Sequence, residues 1–136
     1  MKIFAKVHPS VVLSQLWIFF LFCIFFADFQ WLVTAGALEE IASGVVRGNT
    51  VTPELLVLAS VVHLIPVLMV ILSRLTVRAV NRWLNIIMGV FNLLIATSSG
   101  WTSLDQIIFK VVMVVSMLLV IWTAWTWKDD QSLTKA

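Results

Sequence analysis

The chain has 136 residues, of which 61% are hydrophobic and only 12% are charged, and its mean hydropathy is +1.04. These values exclude an ordinary soluble domain, in which about a quarter of the residues are charged. The net charge of +2 does not indicate nucleic-acid binding, because the basic residues stand at the ends of apolar stretches and are not gathered on one face.

Four apolar stretches are each long enough for a helix to cross about 30 Å of hydrocarbon. They cover residues 11–33, 53–75, 80–97 and 104–127. The sequence therefore predicts a single all-α domain over residues 1–136, a polytopic membrane protein folded as a four-transmembrane-helix bundle. The lipid bilayer is the first partner of such a chain.

The first stretch is rich in phenylalanine: Phe19, Phe20, Phe22, Phe25, Phe26 and Phe29. Because these rings offer a broad packing area to lipid or to a second subunit, we expect a homo-oligomer. The same stretch carries the carboxylate of Asp28 beyond its midpoint. Cys23 is the only cysteine, which excludes an intramolecular disulfide and a thiolate zinc site.

The segment 34–51 joins the first two stretches. Leu38, Ile41, Val45 and Val46 follow near-helical spacing there, which predicts a short helix at the membrane interface, and Gly48-Asn49 predicts a turn. The segment is either an interfacial connector or a lid over a pocket.

The second stretch holds His63 near its centre, three residues before Pro66. Both belong to a stripe that we expect to face protein. The imidazole either bonds to a neighbouring helix or contacts a ligand or a proton pathway. No metal site is predicted, because His8 is the only other histidine and lies at the cytoplasmic end.

Asparagines follow the third stretch at helical spacing. Asn81, Asn85 and Asn92 share one stripe with Gly89. Polar and small residues in this pattern are typical of membrane helices that pack closely. We predict a packing seam of Asn81, Asn85 and Gly89, to which Pro66 of the second stretch belongs.

Lys110 of the fourth stretch is the cation predicted to face Asp28. Each lies about six residues from its stretch's midpoint on the same side, about 8–9 Å from the bilayer centre. A lone charge near the centre costs about 2.5–3.5 kcal/mol, so equal depth predicts an ion pair. The alternative is that Lys110 reaches outward while Asp28 caps the end of its helix.

The basic residues indicate the orientation. Those that fall on one side of the membrane are Lys2, Lys6, Arg74, Arg78, Arg82, Lys128 and Lys135. Because such residues favour the cytoplasm, we expect both termini there, in the inner (plasma) membrane of the cell.

Several short segments form a recognisable pattern. They are Leu16-Trp17-Ile18-Phe19, Ala27-Asp28, Ile65-Pro66, Leu72-Ser73-Arg74, Asn81-Arg82-Trp83 and Asn85-Ile86-Ile87, with Trp122 and Trp125. This pattern resembles an uncharacterised family of small four-helix bacterial integral membrane proteins. The resemblance covers nearly the whole chain and implies the fold, but it implies no activity and no catalytic residue.

Three classes of function remain. The polar residues favour a protein that binds or transports a small or lipophilic ligand in a pocket formed by Asp28, Lys110, His63 and Asn92. An accessory or assembly subunit would use the same residues for packing. An intramembrane enzyme is least favoured, because no carboxylate pair, metal-ligand set or cofactor motif appears, and no catalytic residue, metal or cofactor is predicted.

Overall fold

The computed structural model describes residues 7–98 and 104–128. Its helices are α1 (Pro9–Leu32), α2 (Ala37–Ala42), α3 (Pro53–Leu75), α4 (Arg78–Ser98) and α5 (Leu104–Thr126), and its strands are β1 (Val45–Val46) and β2 (Asn49–Thr50). The four long helices α1, α3, α4 and α5 are long and apolar enough to cross a membrane. The predicted all-α four-helix membrane bundle is confirmed.

Local chemistry determines where the helices begin. The side chain of His8 accepts a hydrogen bond from the Ser10 N–H at the start of α1, and Pro9 occupies the first turn. Thr52 accepts a bond from the Leu55 N–H at 3.2 Å and so caps α3. Each cap satisfies an N–H that has no partner within its helix.

Successive long helices run in opposite directions. We call the end of the bundle that carries residues 33–52 the hairpin end, and the end where residues 76–77 connect α3 to α4 the turn end. Helix α4 packs on α5, α5 on α1, and α1 on α3, whereas α3 and α4 have few contacts. Their hydrogen bonds to each other lie within two helical turns of the connection.

The segment at the hairpin end differs in part from the prediction. The short helix is present as α2, but Val45 and Val46 form a strand and not a continuation of the helix. Gly44 stops the helix with a φ of 75°. A two-residue turn at Arg47 and Gly48, both with positive φ as a type I′ turn requires, then pairs β1 with β2.

The core lies between α1 and α5, and α3 contributes little to it. Its buried residues are Leu13, Trp17, Phe20, Cys23, Met69, Met113, Met117, Val120, Ala124 and Trp127. Only Pro66, Met69 and Ser73 of α3 are buried. Most of the circumference of α3 is therefore available to lipid.

Candidate functional site

An open cleft of about 380 Å³ lies at the hairpin end, between α1 and the β-hairpin. Its lining residues are Phe25, Asp28, Phe29, Trp31, Leu32, Val46 and Arg47. Phe25, Phe29 and Leu32 recur at helical spacing and share one face of α1. The cleft therefore joins aromatic and aliphatic walls to one carboxylate and one guanidinium.

The charged groups of the cleft bind each other. Arg47 Nη2 donates to Asp28 Oδ1 at 3.0 Å, and the two side chains are 49% and 51% exposed. The guanidinium carbon also lies 4.9 Å from the centroid of the Trp31 ring. Arg47 is thus held by a carboxylate and by the face of an aromatic ring, the two groups that most favour a cation.

The backbone of Arg47 is fixed by the hairpin. Its N–H donates to Glu40 Oε2 at 2.9 Å, and its carbonyl accepts a bond from Asn49 Nδ2 at 3.2 Å. The Val51 N–H closes the hairpin by donating to the Gly44 carbonyl at 2.8 Å. These bonds aim the Arg47 side chain at α1.

A second, more polar cleft of about 430 Å³ adjoins the first. Trp31 lines both clefts, and Glu39 and Glu40 line only the second. The two carboxylates of α2 are therefore close to the first cleft but are not part of its lining.

Arg47, and not the predicted Lys110, is the cation that the structure places against Asp28. Within the helices as they form, Asp28 is about 11 Å from the midpoint of α1, whereas Lys110 is about 7–8 Å from that of α5. Lys110 is also only 8% exposed, while Asp28 is half-exposed beside the hairpin. Equal depth was therefore a poor guide to this pair.

The other residues predicted for the pocket lie on different helices. His63 is exposed on α3, and its Nδ1 donates to the Ala59 carbonyl at 2.7 Å. Asn92 is buried on α4, and its Nδ2 donates to the Met88 carbonyl at 2.9 Å. Both side chains therefore hydrogen-bond to carbonyls of their own helices.

The stripe that was expected to face protein on α3 is divided. Pro66 is buried, but His63, three residues before it, is exposed. Helix α3 packs mainly on α1, and a single neighbour covers only a narrow strip of a helix. The prediction that His63 faces protein is therefore wrong within this chain.

Asparagines form a buried hydrogen-bond network towards the turn end. Asn85 Oδ1 accepts from Trp17 Nε1 at 2.7 Å and from Ser73 Oγ at 3.1 Å. Asn85 Nδ2 donates to the Asn81 carbonyl at 2.9 Å, and Asn81 Nδ2 donates to the Ser73 carbonyl at 2.7 Å. All four residues are at most 1% exposed, so the network joins α1, α3 and α4 through buried, direct hydrogen bonds.

Gly89 lies on the same face of α4 as these asparagines, where α4 meets α5. A Cβ at this position would lie 2.9 Å from Ile121 Cγ1 and 3.5 Å from Val120 Cγ1. The absence of a side chain therefore allows the two helices to approach closely.

The sequence interpretation missed Arg47 as a site residue. Arg47 is the only basic residue between positions 33 and 52, which was a usable signal. Its contact with Asp28 and Trp31 depends on the turn of the β-hairpin. This hairpin was not predicted from the sequence, because Val45 and Val46 were assigned to a helix.

Four helices that are long and apolar enough to span a membrane define a polytopic α-helical membrane protein. The chain belongs to a family of unknown function, DUF6326, whose family model matches residues 1–134. No curated protein and no solved structure matches the chain. The prediction of an uncharacterised family is confirmed.

Proposed function

We propose that the protein binds a small lipophilic molecule in the cleft at the hairpin end. The observation that carries this proposal is the composition of the cleft, whose apolar walls end at the Asp28–Arg47 ion pair. A molecule with an apolar body and a polar head would contact both parts. Binding sites for small molecules commonly combine apolar walls with a few well-placed polar groups.

Entry from the lipid fits the position of the cleft. Phe25 and Phe29 are 62% and 52% exposed on α1, and their stacked rings, with centroids 6.5 Å apart, give lipophilic molecules an apolar surface beside the ion pair. Passage through the bundle is less supported, because the core side chains and the asparagine network fill its interior towards the turn end. Binding, rather than transport, is therefore the primary proposal.

Photolabelling tests this proposal with an uncharged probe, a long-chain alcohol that carries a diazirine. In nanodiscs we expect saturable labelling of α1 near Phe25 and of the β-hairpin, displaced by excess unlabelled alcohol. Phe25→Ala should lower this labelling several-fold, because it removes a large part of the apolar wall.

Phe19→Ala is the matched control. Phe19 lies on the same helix and is 50% exposed, but it does not line the cleft. Equal labelling of the wild type and both variants, or labelling that excess alcohol does not displace, would contradict the proposed site.

An accessory role is the second candidate function. The exposed phenylalanines of α1 that lie outside the cleft are Phe19, Phe22 and Phe26. They form an apolar surface that suits a second copy of the chain or another membrane protein. If that surface carries the function, Phe19→Ala should weaken assembly, Phe25→Ala should leave it unchanged, and the two variants should not differ in labelling.

We also propose that the hairpin end faces away from the cytoplasm in the inner (plasma) membrane. The described basic residues at the turn end are Arg74, Arg78, Arg82 and Lys128. Lys2, Lys6 and Lys135 fall outside the described residues and enter the proposal from the sequence alone. Such a bias of basic residues favours the cytoplasm for the turn end.

Cysteine labelling in intact cells tests the orientation. A membrane-impermeant maleimide should label Ser43→Cys, which is exposed at the hairpin end, and should not label Lys128→Cys, which is exposed at the turn end. The buried native Cys23 provides a low background. Labelling of Lys128→Cys and protection of Ser43→Cys would reverse the proposed orientation.

A further inference from the structure

The cleft at the hairpin end already holds a cation that belongs to the chain itself. The Arg47 guanidinium lies between the Asp28 carboxylate, at 3.0 Å, and the Trp31 ring, at 4.9 Å. The carboxylate and the aromatic face come from α1, whereas the cation comes from the tip of a two-residue turn. The cation of the ion pair thus belongs to the β-hairpin, whereas the carboxylate and the aromatic ring that bind it belong to α1.

The charges around the cleft also favour a cation. Among the residues that line this cleft and the neighbouring one, Arg47 is the only basic residue, and the acidic residues are Asp28, Glu39 and Glu40. Two of these carboxylates line the neighbouring cleft, which shares Trp31 with the first. The aromatic walls add faces that attract a positive charge.

The contact that holds Arg47 is weak enough to be exchanged. Both partners of the ion pair are about half-exposed, and ion pairs between exposed side chains contribute little to stability. A ligand with a positive charge and apolar groups could bind Asp28 through its charge. Its apolar groups could at the same time pack on the rings of Phe25 and Phe29, which line the same cleft.

We infer that the cleft selects lipophilic cations and that Arg47 occupies the cation position while no ligand is bound. This inference rests on the proposed binding function and names its ligand class. Arg47 then acts as an internal competitor, and a bound cation displaces it from Asp28 and Trp31.

Two probes of similar shape and opposite charge test the inference: tetraphenylphosphonium and tetraphenylborate. Binding is measured by equilibrium dialysis with the full chain in nanodiscs, after subtraction of binding to empty nanodiscs. We expect Arg47→Asn to raise the affinity for tetraphenylphosphonium about three- to tenfold, because it removes the competitor. Asparagine tolerates the φ of 51° at this position and suits a type I′ turn before Gly48, so the hairpin is retained.

Asp28 provides the second arm of the test. Asp28→Asn should lower the affinity for tetraphenylphosphonium, and in the Asp28→Asn background the substitution Arg47→Asn should raise it less than it does in the wild type. Unchanged or weaker phosphonium binding in Arg47→Asn would overturn the inference. Saturable borate binding that Arg47→Asn abolishes would do the same and would identify an anion site instead.

The two proposals fail in distinguishable ways. If the uncharged alcohol labels the cleft while tetraphenylphosphonium does not bind, the ligand-binding function stands and the selection of cations is wrong. If neither charged probe binds and the alcohol does not label the cleft, both proposals are wrong.

Discussion

Replacing Asn85 with alanine is expected to lower the free energy of unfolding by about 2–3 kcal/mol. Hydrogen bonds between membrane helices contribute about 0.6 kcal/mol on average and about 1.7 kcal/mol at most. Asn85 accepts bonds from Trp17 and Ser73 on two other helices and donates to Asn81. Because all of these groups are buried, the substitution leaves several of them without a partner at once.

Asn92→Ala is the matched control for this experiment. Asn92 is the same residue type on the same helix and is 3% exposed, but its amide donates to a carbonyl of its own helix. We expect a loss of about 1 kcal/mol or less, measured by reversible denaturation of the purified protein in detergent micelles. Similar losses for the two variants would show that the network does not join the helices energetically.

Trp17→Phe shows how much of the loss in Asn85→Ala comes from the broken hydrogen bond and how much comes from the smaller side chain. If the orphaned Trp17 N–H causes much of the damage, the double variant Trp17→Phe, Asn85→Ala should be more stable than the sum of the single losses implies. Strict additivity would assign the loss to packing alone.

The membrane spans could be predicted because hydropathy over about 20 residues decides them. Their beginnings were less certain. Helices α1 and α4 start at Pro9 and Arg78, two residues before the predicted bounds at 11 and 80. For α1 the reason is that His8 caps the helix and Pro9 suits its first turn, and hydropathy does not record caps.

The candidate site was only partly predictable. Asp28 stands out in an apolar stretch, so its importance could be inferred from sequence. Arg47 could have been named as a candidate partner, but the contact itself could not be inferred, since the Arg47 side chain reaches Asp28 only after Gly44 ends α2 and a tight turn reverses the chain. The position of a charged loop residue relative to the helices cannot be estimated until the conformation of the loop is known.

The environment of polar residues within the spans was also ambiguous. Asn85 and His63 both interrupt apolar helices at packing-like spacing, yet Asn85 is buried and His63 is exposed. The difference arises from the neighbours of each residue, because Trp17 of α1 and Ser73 of α3 cover Asn85, whereas α3 packs mainly on α1 and leaves His63 exposed. Spacing defines a face, but it does not say whether a neighbour covers that face.

Substitution of Gly89 by leucine is expected to produce the other large loss, about 3 kcal/mol or more. No space exists for a side chain between α4 and α5, because even a Cβ would lie 2.9 Å from Ile121 Cγ1. Overpacking a well-packed interface by a few methylenes typically costs about 1–3 kcal/mol, and leucine adds more than that. Either Ile121 must move from its position or the two helices must separate, and reversible denaturation in detergent would detect both as reduced stability.

Gly89→Ala gives a sharper test, because two effects of opposite sign compete. Alanine favours a helix over glycine by about 1 kcal/mol, so the change would stabilise α4 if there were space for the methyl group. The contact with Ile121 should outweigh this gain and make the single variant less stable. In an Ile121→Ala background the Cγ1 atom is absent, and there Gly89→Ala should become neutral or stabilising. The same loss of stability in both backgrounds would show that Ile121 does not set the spacing of α4 and α5.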